Sequence, residues 1–254
     1  MEQNKVYIDF EAITNPFARL LNLPSGTPYA YTLGLLNIKN KFEVKTFIMD
    51  FTKHNSLSSI WNIIRKKIIL DINKINSKLN INDVIFIGHN PVLENKCLKK
   101  LFPTNKVLPL IDKQNVSLSK LTGKTFNIPY FSETKKTLTK LGTDTLLKNI
   151  VERNGAIASF AGYWLYTNSL KNLRVNDKKK KYFINLNKKI LLRELNKYSN
   201  DDVVKMLYIS TNENALPIML KELGYKRELL KQIRNLKLNE KLTIKEIKEK
   251  IWNL

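Results

Sequence analysis

The stretch Lys5-Val6-Tyr7-Ile8-Asp9-Phe10-Glu11 constrains this chain more than any other. It is a short apolar run that ends in two carboxylates. Residues two apart on an extended strand share a face, so Asp9 and Glu11 point one way and Phe10 points the other, into a core. Two like charges at the end of a buried strand are costly unless a cation sits between them. An exposed strand end with two solvated acids is the plainer explanation of the pair, and only the rest of the chain can decide between the two.

Residues 12–28 read as a loop punctuated by Pro16, Pro24, Gly26 and Pro28. Tyr29–Asn37 and Phe42–Asp50 are β-like runs joined by a short polar turn, hence a hairpin. Leu57, Ile60, Trp61, Ile64, Ile68 and Ile72 recur at spacings of three and four, which predicts a helix over 56–78 with Ser56 as its N-cap. Asp83–Gly88 is a short apolar run between polar flanks, the pattern of a buried strand. Strand, hairpin, helix, strand is the order of an α/β layer fold with a mixed sheet.

Asn90 is placed to cap a following helix, Val92–Phe102, with Pro91 at its first position. Glu94 then lies in the first turn, just past the end of a buried strand, where sites form in open α/β sheets. An acid that stabilises the helix dipole is the alternative role for Glu94. His89 reads as a packed or hydrogen-bonding residue. Val107–Ile111 is a further apolar run, followed by Asp112. Helices are predicted over Ser132–Leu141, Thr143–Arg153 and Ala156–Leu170, with Asn154-Gly155 as a break. The aromatics Phe160, Tyr163, Trp164 and Tyr166 belong to the core rather than to a base-stacking platform. Lys178–Lys181 reads as a charged turn. Asn187–Ser210 is a long helix on which Tyr198 and Asp202 share a face, with Asp201 turned about 100° away. From residue 212 the chain is helical and basic, broken at Pro217, Gly224 and Asn239. Leu229, Ile233, Leu236, Ile244, Ile247 and Ile251 supply its apolar stripes. The expected division is a body over 1–210 and a basic helical extension over 211–254.

The 254 residues, 43% of them apolar, suffice for one large α/β domain with an appendage. No apolar run reaches bilayer length, and Met1–Lys5 does not begin a signal peptide, so a cytoplasmic protein without membrane contact is expected. Cys97 is the only cysteine, which excludes a disulfide within the chain and a cysteine-built metal site. Against 22 acidic residues stand 44 basic ones, a net charge of +22 that makes a polyanion the expected partner. The competing explanation is compositional: Lys, Asn and Ile are abundant throughout, and Arg, favoured for bidentate phosphate contacts, is scarce beside Lys.

A strand Asp-x-Glu, a helix-start Glu after a buried strand and a late helical Tyr-x-x-x-Asp occur here in order, at Asp9 and Glu11, at Glu94, and at Tyr198 and Asp202. This set resembles the tyrosine variant of the DEDD superfamily of 3′–5′ exonucleases. It is similar in more detail to a family of uncharacterised bacterial proteins with a predicted DEDD-type nuclease domain. That likeness runs through Tyr29-Ala30-Tyr31, Asn90 to Glu94, Leu110-Ile111-Asp112, Ser132 to Leu138 and Ile150 to Ala158, and covers roughly residues 5–210. The resemblance implies a ribonuclease H-like fold, a mixed five-stranded sheet flanked by helices with a C-terminal helical extension. It further implies two Mg²⁺ or Mn²⁺ ions, with Asp9 bridging them, Glu11 and Asp202 completing one site, and Glu94 holding the second ion mostly through water. Tyr198 would orient the attacking water, and the partner would be a DNA or RNA strand with a single-stranded 3′ end. One departure stands out: the wider superfamily has Asp where Glu94 stands. A nuclease-fold module that binds nucleic acid without cleaving it is the rival expectation; a proofreading piece separated from its polymerase is a third.

Overall fold

In a computed structural model of the chain, residues 4–111, 116–142, 144–174, 176–235 and 242–252 are described. The features expected at Asp112, Thr143, Leu236 and Asn239, and the side chain of Ile251, lie outside them. The elements in order are β1 (Lys5–Ile13), α1 (Phe17–Leu20), β2 (Thr27–Leu36), β3 (Phe42–Ile48), α2 (Leu57–Ile75), β4 (Ile85–Gly88), α3 (Val92–Leu101), β5 (Lys106–Pro109), α4 (Leu118–Leu121), α5 (Ser132–Leu141), α6 (Thr145–Ile150), α7 (Asn154–Ser169), α8 (Lys188–Thr211), α9 (Leu216–Asn235) and α10 (Ile244–Trp252). The strands form one mixed five-stranded sheet in the order β3-β2-β1-β4-β5. β2 is antiparallel to both β1 and β3, whereas β4 runs parallel to β1 and to β5. The expected α/β class, hairpin and buried strand are therefore present.

β1 lies mid-sheet and sends alternate residues to opposite faces. Val6, Ile8 and Phe10 join the stripe Ile60, Ile64, Ile68 and Ile72 of α2 in one apolar cluster. Burying each such isoleucine contributes about 1.5–3 kcal/mol, so the stripe fixes α2 on the sheet more firmly than its cap does. The cap is nonetheless as expected: the Ser56 side chain accepts from the backbone N–H of Ser59. On the other face, Tyr7 and Ile87 pack with Val203, Met206 and Ile209 of α8. α8 crosses β1, β2 and β3 on this face. The α7 aromatics Phe160, Tyr163, Trp164 and Tyr166 are buried, as expected for a core helix.

Several boundaries differ from expectation, each for a local reason. The expected loop over 12–28 contains the end of β1, the short α1 and the start of β2, because Ala12 and Ile13 pair with Pro28 and Thr27. Asn90 does not cap α3; Pro91 occupies that position and makes no side-chain cap bond. α7 starts at Asn154 instead of breaking there, and Gly155 sits in its open first turn with nothing within 4 Å of a would-be Cβ. Neither Pro217 nor Gly224 breaks α9. A proline in a first turn forfeits no intrahelical bond, and the Gly224 position has open space around it. The first half of α9 is tied to the body, since Leu216, Met219, Leu220 and Leu223 share a cluster with Leu118 and Leu121 of α4. Among the described residues no helix is long and apolar enough to cross a membrane.

Candidate active site

Asp9, Glu11, Glu94, Tyr198 and Asp202 all line one cleft of about 420 Å³ at the carboxyl ends of β1 and β4. Asp9 and Asp202 also line an adjoining space of about 400 Å³ with His89, Asn90 and Ser117–Ser119. A larger cleft, about 620 Å³, lies between the end of β3, α7 and α8 and is lined by none of these five residues.

Each side chain reaches the cleft for a reason visible in its element. Asp9 pairs with Thr32 and Glu11 with Ala30, so both acids lie on the sheet face crossed by α8. The register of β1 shifts between Glu11 and Ala12, a bulge directly beside the second acid. Bulges bend and re-aim a strand at such places. Glu94 is tucked under the end of β4 because residue 88 is glycine: a Cβ there would lie 2.9 Å from Pro91 Cβ and 3.2 Å from Glu94 Cγ. Tyr198 and Asp202 share the inner face of α8. The Tyr198 ring is fixed against Tyr130 and Phe131, at centroid distances of 5.4 and 5.2 Å. Phe131 adopts a left-handed backbone (φ 57°) as it enters α5, and Glu194 of α8 accepts from the backbone N–H groups of Glu133 and Thr134 in that first turn. These bonds tie α5 to α8 behind the tyrosine.

The acids are crowded and mostly out of water. Glu11 and Glu94 are 7% and 6% exposed, whereas Asp9 keeps a partial opening to the cleft mouth. Burial, with repulsion from Glu11, Glu94 and Asp202, holds Asp9 well above the usual carboxylate range. Burial and then Asp202 push Glu11 up to about 8, against a hydrogen bond from Ser199. Burial pushes Glu94 up to about 7, with backbone hydrogen bonds from Glu94 itself and Phe10 pulling the other way. Burial also raises Asp202, opposed by Lys205 and Tyr198. The Tyr198 hydroxyl lies far above its ordinary value, chiefly through burial and then the nearby Glu11 and Asp202 charges. It is therefore a hydrogen-bonding group, not a base, at neutral pH.

Two further residues belong to this constellation and were not anticipated. Ser199 Oγ donates to Glu11 Oε1 at 2.9 Å. Lys205, whose side chain is fully buried, donates to Asp202 Oδ1 at 2.8 Å. Lys205 Nζ also lies 4.7 Å from the centre of the Tyr130 ring and 3.4 Å from Ser119 Oγ. The i, i+3 spacing from Asp202 was the one signal that could have found it. At the rim, Lys96 Nζ donates to the Ser25 carbonyl at 3.1 Å. His89 has its expected bland role, an Nε2 contact of 2.6 Å to the Val116 carbonyl.

The donor set suits a hard divalent cation: four carboxylates, no sulfur, and buried like charges that a cation would relieve. Among the described residues, however, no three His, Cys, Asp or Glu side chains form a group that could hold a metal ion as they stand. Mg²⁺ seldom uses an all-protein cage; it takes one or two carboxylates and completes its shell with water and substrate phosphate. The residues fit an ion bound in that open manner. Comparison of the chain with known protein families, with curated proteins and with solved structures gives no match.

Proposed function

We propose that the chain is a divalent-metal-dependent nuclease with a ribonuclease H-like fold, a 3′–5′ exonuclease that hydrolyses phosphodiester bonds of DNA or RNA. The observation that carries this reading is the meeting of five residues, drawn from β1, α3 and α8, in one cleft. The strand order β3-β2-β1-β4-β5, with β2 antiparallel to β1, suits that fold.

Asp9, Glu11 and Asp202 would hold Mg²⁺ or Mn²⁺ from the sheet and from α8, and Glu94 would reach it from α3. When bound, the metal supplies an activated water and neutralises charge on the phosphate. Tyr198 orients the attacking water through its hydroxyl, held in place by its bond to Asp202. Glu94, one methylene longer than aspartate, compensates by starting from the floor beside Gly88. The basic surface draws in the phosphate backbone, and Lys96 at the rim is the nearest basic side chain lining the cleft.

One observation favours a binding module without cleavage: the acids as they stand make no closed set of metal ligands. Digestion of an end-labelled strand separates the two readings. The nuclease reading expects Mg²⁺- or Mn²⁺-dependent loss of the strand with the native chain and none with Asp9→Ala. A native chain that binds the strand but leaves it intact with either metal supports the module.

A further inference from the structure

Lys205 is fully buried beside a cluster of acids, in a position that a nuclease of this kind does not need for surface charge. Its neighbours are Asp202, Ser119 and the face of Tyr130. A buried ammonium is costly unless paired, and here the pairing is with an acid of the candidate metal site.

Asp202 Oδ1 is taken by Lys205, the Asp202 carboxylate also accepts from the Tyr198 hydroxyl, and Glu11 Oε1 is taken by Ser199. Glu94 is engaged by backbone groups of Glu94 itself and Phe10. Asp9 alone has no side-chain or backbone donor among these residues. The cluster therefore carries four carboxylates, one ammonium and a reduced set of outward-facing oxygens. Four ionised carboxylates carry −4; Lys205 and one divalent ion supply +3, which one proton retained in the cluster completes, whereas Lys205 and two divalent ions supply +5, an excess in the absence of a phosphate. A second divalent ion would have to settle beside an ammonium that cannot move into solvent.

We propose that Lys205 takes the place of the second cation, so that the site binds one divalent metal ion, at Asp9 and its neighbours, rather than two. This rests on the nuclease reading and specifies its metal requirement. Lys205 is a positioning residue: it holds the Asp202 carboxylate at Oδ1 and keeps the α8 side of the cleft charge-compensated before any ion arrives.

The test counts Mn²⁺ ions on the full chain by electron paramagnetic resonance of free Mn²⁺, with and without a nucleoside 5′-monophosphate in the cleft. The expected result is one Mn²⁺ per native chain in both conditions, lost in Asp9→Ala, and two per chain in Lys205→Met. Two ions on the native chain overturn the proposal and leave the nuclease reading standing; none at all overturns both. A count that stays at one in a folded Lys205→Met protein also overturns it, because Lys205 would then not be what excludes the second ion. If Lys205→Met does not fold, the native count decides alone, and Lys205→Arg, which keeps the charge, is expected to retain the count of one.

Discussion

Glu11→Gln isolates the electrostatic strain of the acid cluster. Glutamine keeps the shape of Glu11 and an oxygen for Ser199, but cannot ionise. In the unfolded chain Glu11 loses its proton near 4.5; in the folded chain burial and Asp202 hold it to about 8. Between these values the folded state binds the extra proton. Stability from this group is thus fully present below about pH 4.5 and is lost as pH rises through about 8. At about 1.4 kcal/mol per pH unit, the rise sets a ceiling of about 5 kcal/mol. Part of the repulsion is shared with Asp202 and Glu94, so the expected loss is about 2–4 kcal/mol. Melting curves of the native chain and Glu11→Gln, free of metal, should agree at pH 5. By pH 9 the variant should melt higher by on the order of 10 °C, at about 2–4 °C per kcal/mol for a chain of this size. Millimolar Mg²⁺ should close the gap by binding the ionised native site. Groups remote from the cluster titrate alike in both proteins and cancel. A gap that does not widen with pH refutes the argument that Glu11 sits uncompensated in the cluster.

Tyr198→Phe keeps the ring against Tyr130 and Phe131 and removes only the hydroxyl. It should lower kcat by about 10²-fold with little change in KM or melting temperature, as expected for lost positioning of water, measured by steady-state hydrolysis. In Gly162→Ala a Cβ would sit 2.6 Å from Tyr29 ring carbons and 2.8 Å from Ile13 Cγ1, behind the end of β1. Overpacking there should destabilise by about 1–3 kcal/mol, read from urea denaturation. Binding of a single strand should weaken steeply with salt, with a log–log slope of about −0.7 for each phosphate contacted, measured by fluorescence anisotropy. A slope near zero would mean that the +22 charge is solvated surface with no part in binding.

The acids were legible because each stood at a position that a simple periodicity or boundary marks. Asp9 and Glu11 share a strand face, Glu94 opens a helix after a buried strand, and Tyr198 and Asp202 share a helix face. Lys205 was not legible, because one buried lysine among 44 basic residues carries no mark of its burial. Ser199 was missed for a related reason: it lies one residue from Tyr198, and only the packing of α8 on β1 brings its hydroxyl to Glu11. In the fold, hydrophobic spacing located α2 well, and the start of α3 at Val92 was as expected, whereas local rules misassigned the cap of α3 and the start of α7. Pro91 took the cap position from Asn90, and Asn154-Gly155 began a helix that is buried from Ile157 to Thr167. Tertiary burial of α7 outweighs the weak helix preference of its first two residues.

On the proposed function, the cleft formed by Asp9, Glu11, Glu94, Tyr198 and Asp202 hydrolyses nucleic-acid strands from the 3′ end. The most direct measurement follows one strand labelled at its 3′ end and the same strand labelled at its 5′ end, as DNA and as RNA, with Mg²⁺ or Mn²⁺. The 3′-labelled strand should release a labelled mononucleotide early and the 5′-labelled one should give a ladder of shortening products, both abolished by chelation and by Asp9→Ala. Intact strands after prolonged incubation with every metal, or cleavage that survives Asp9→Ala, would contradict that function.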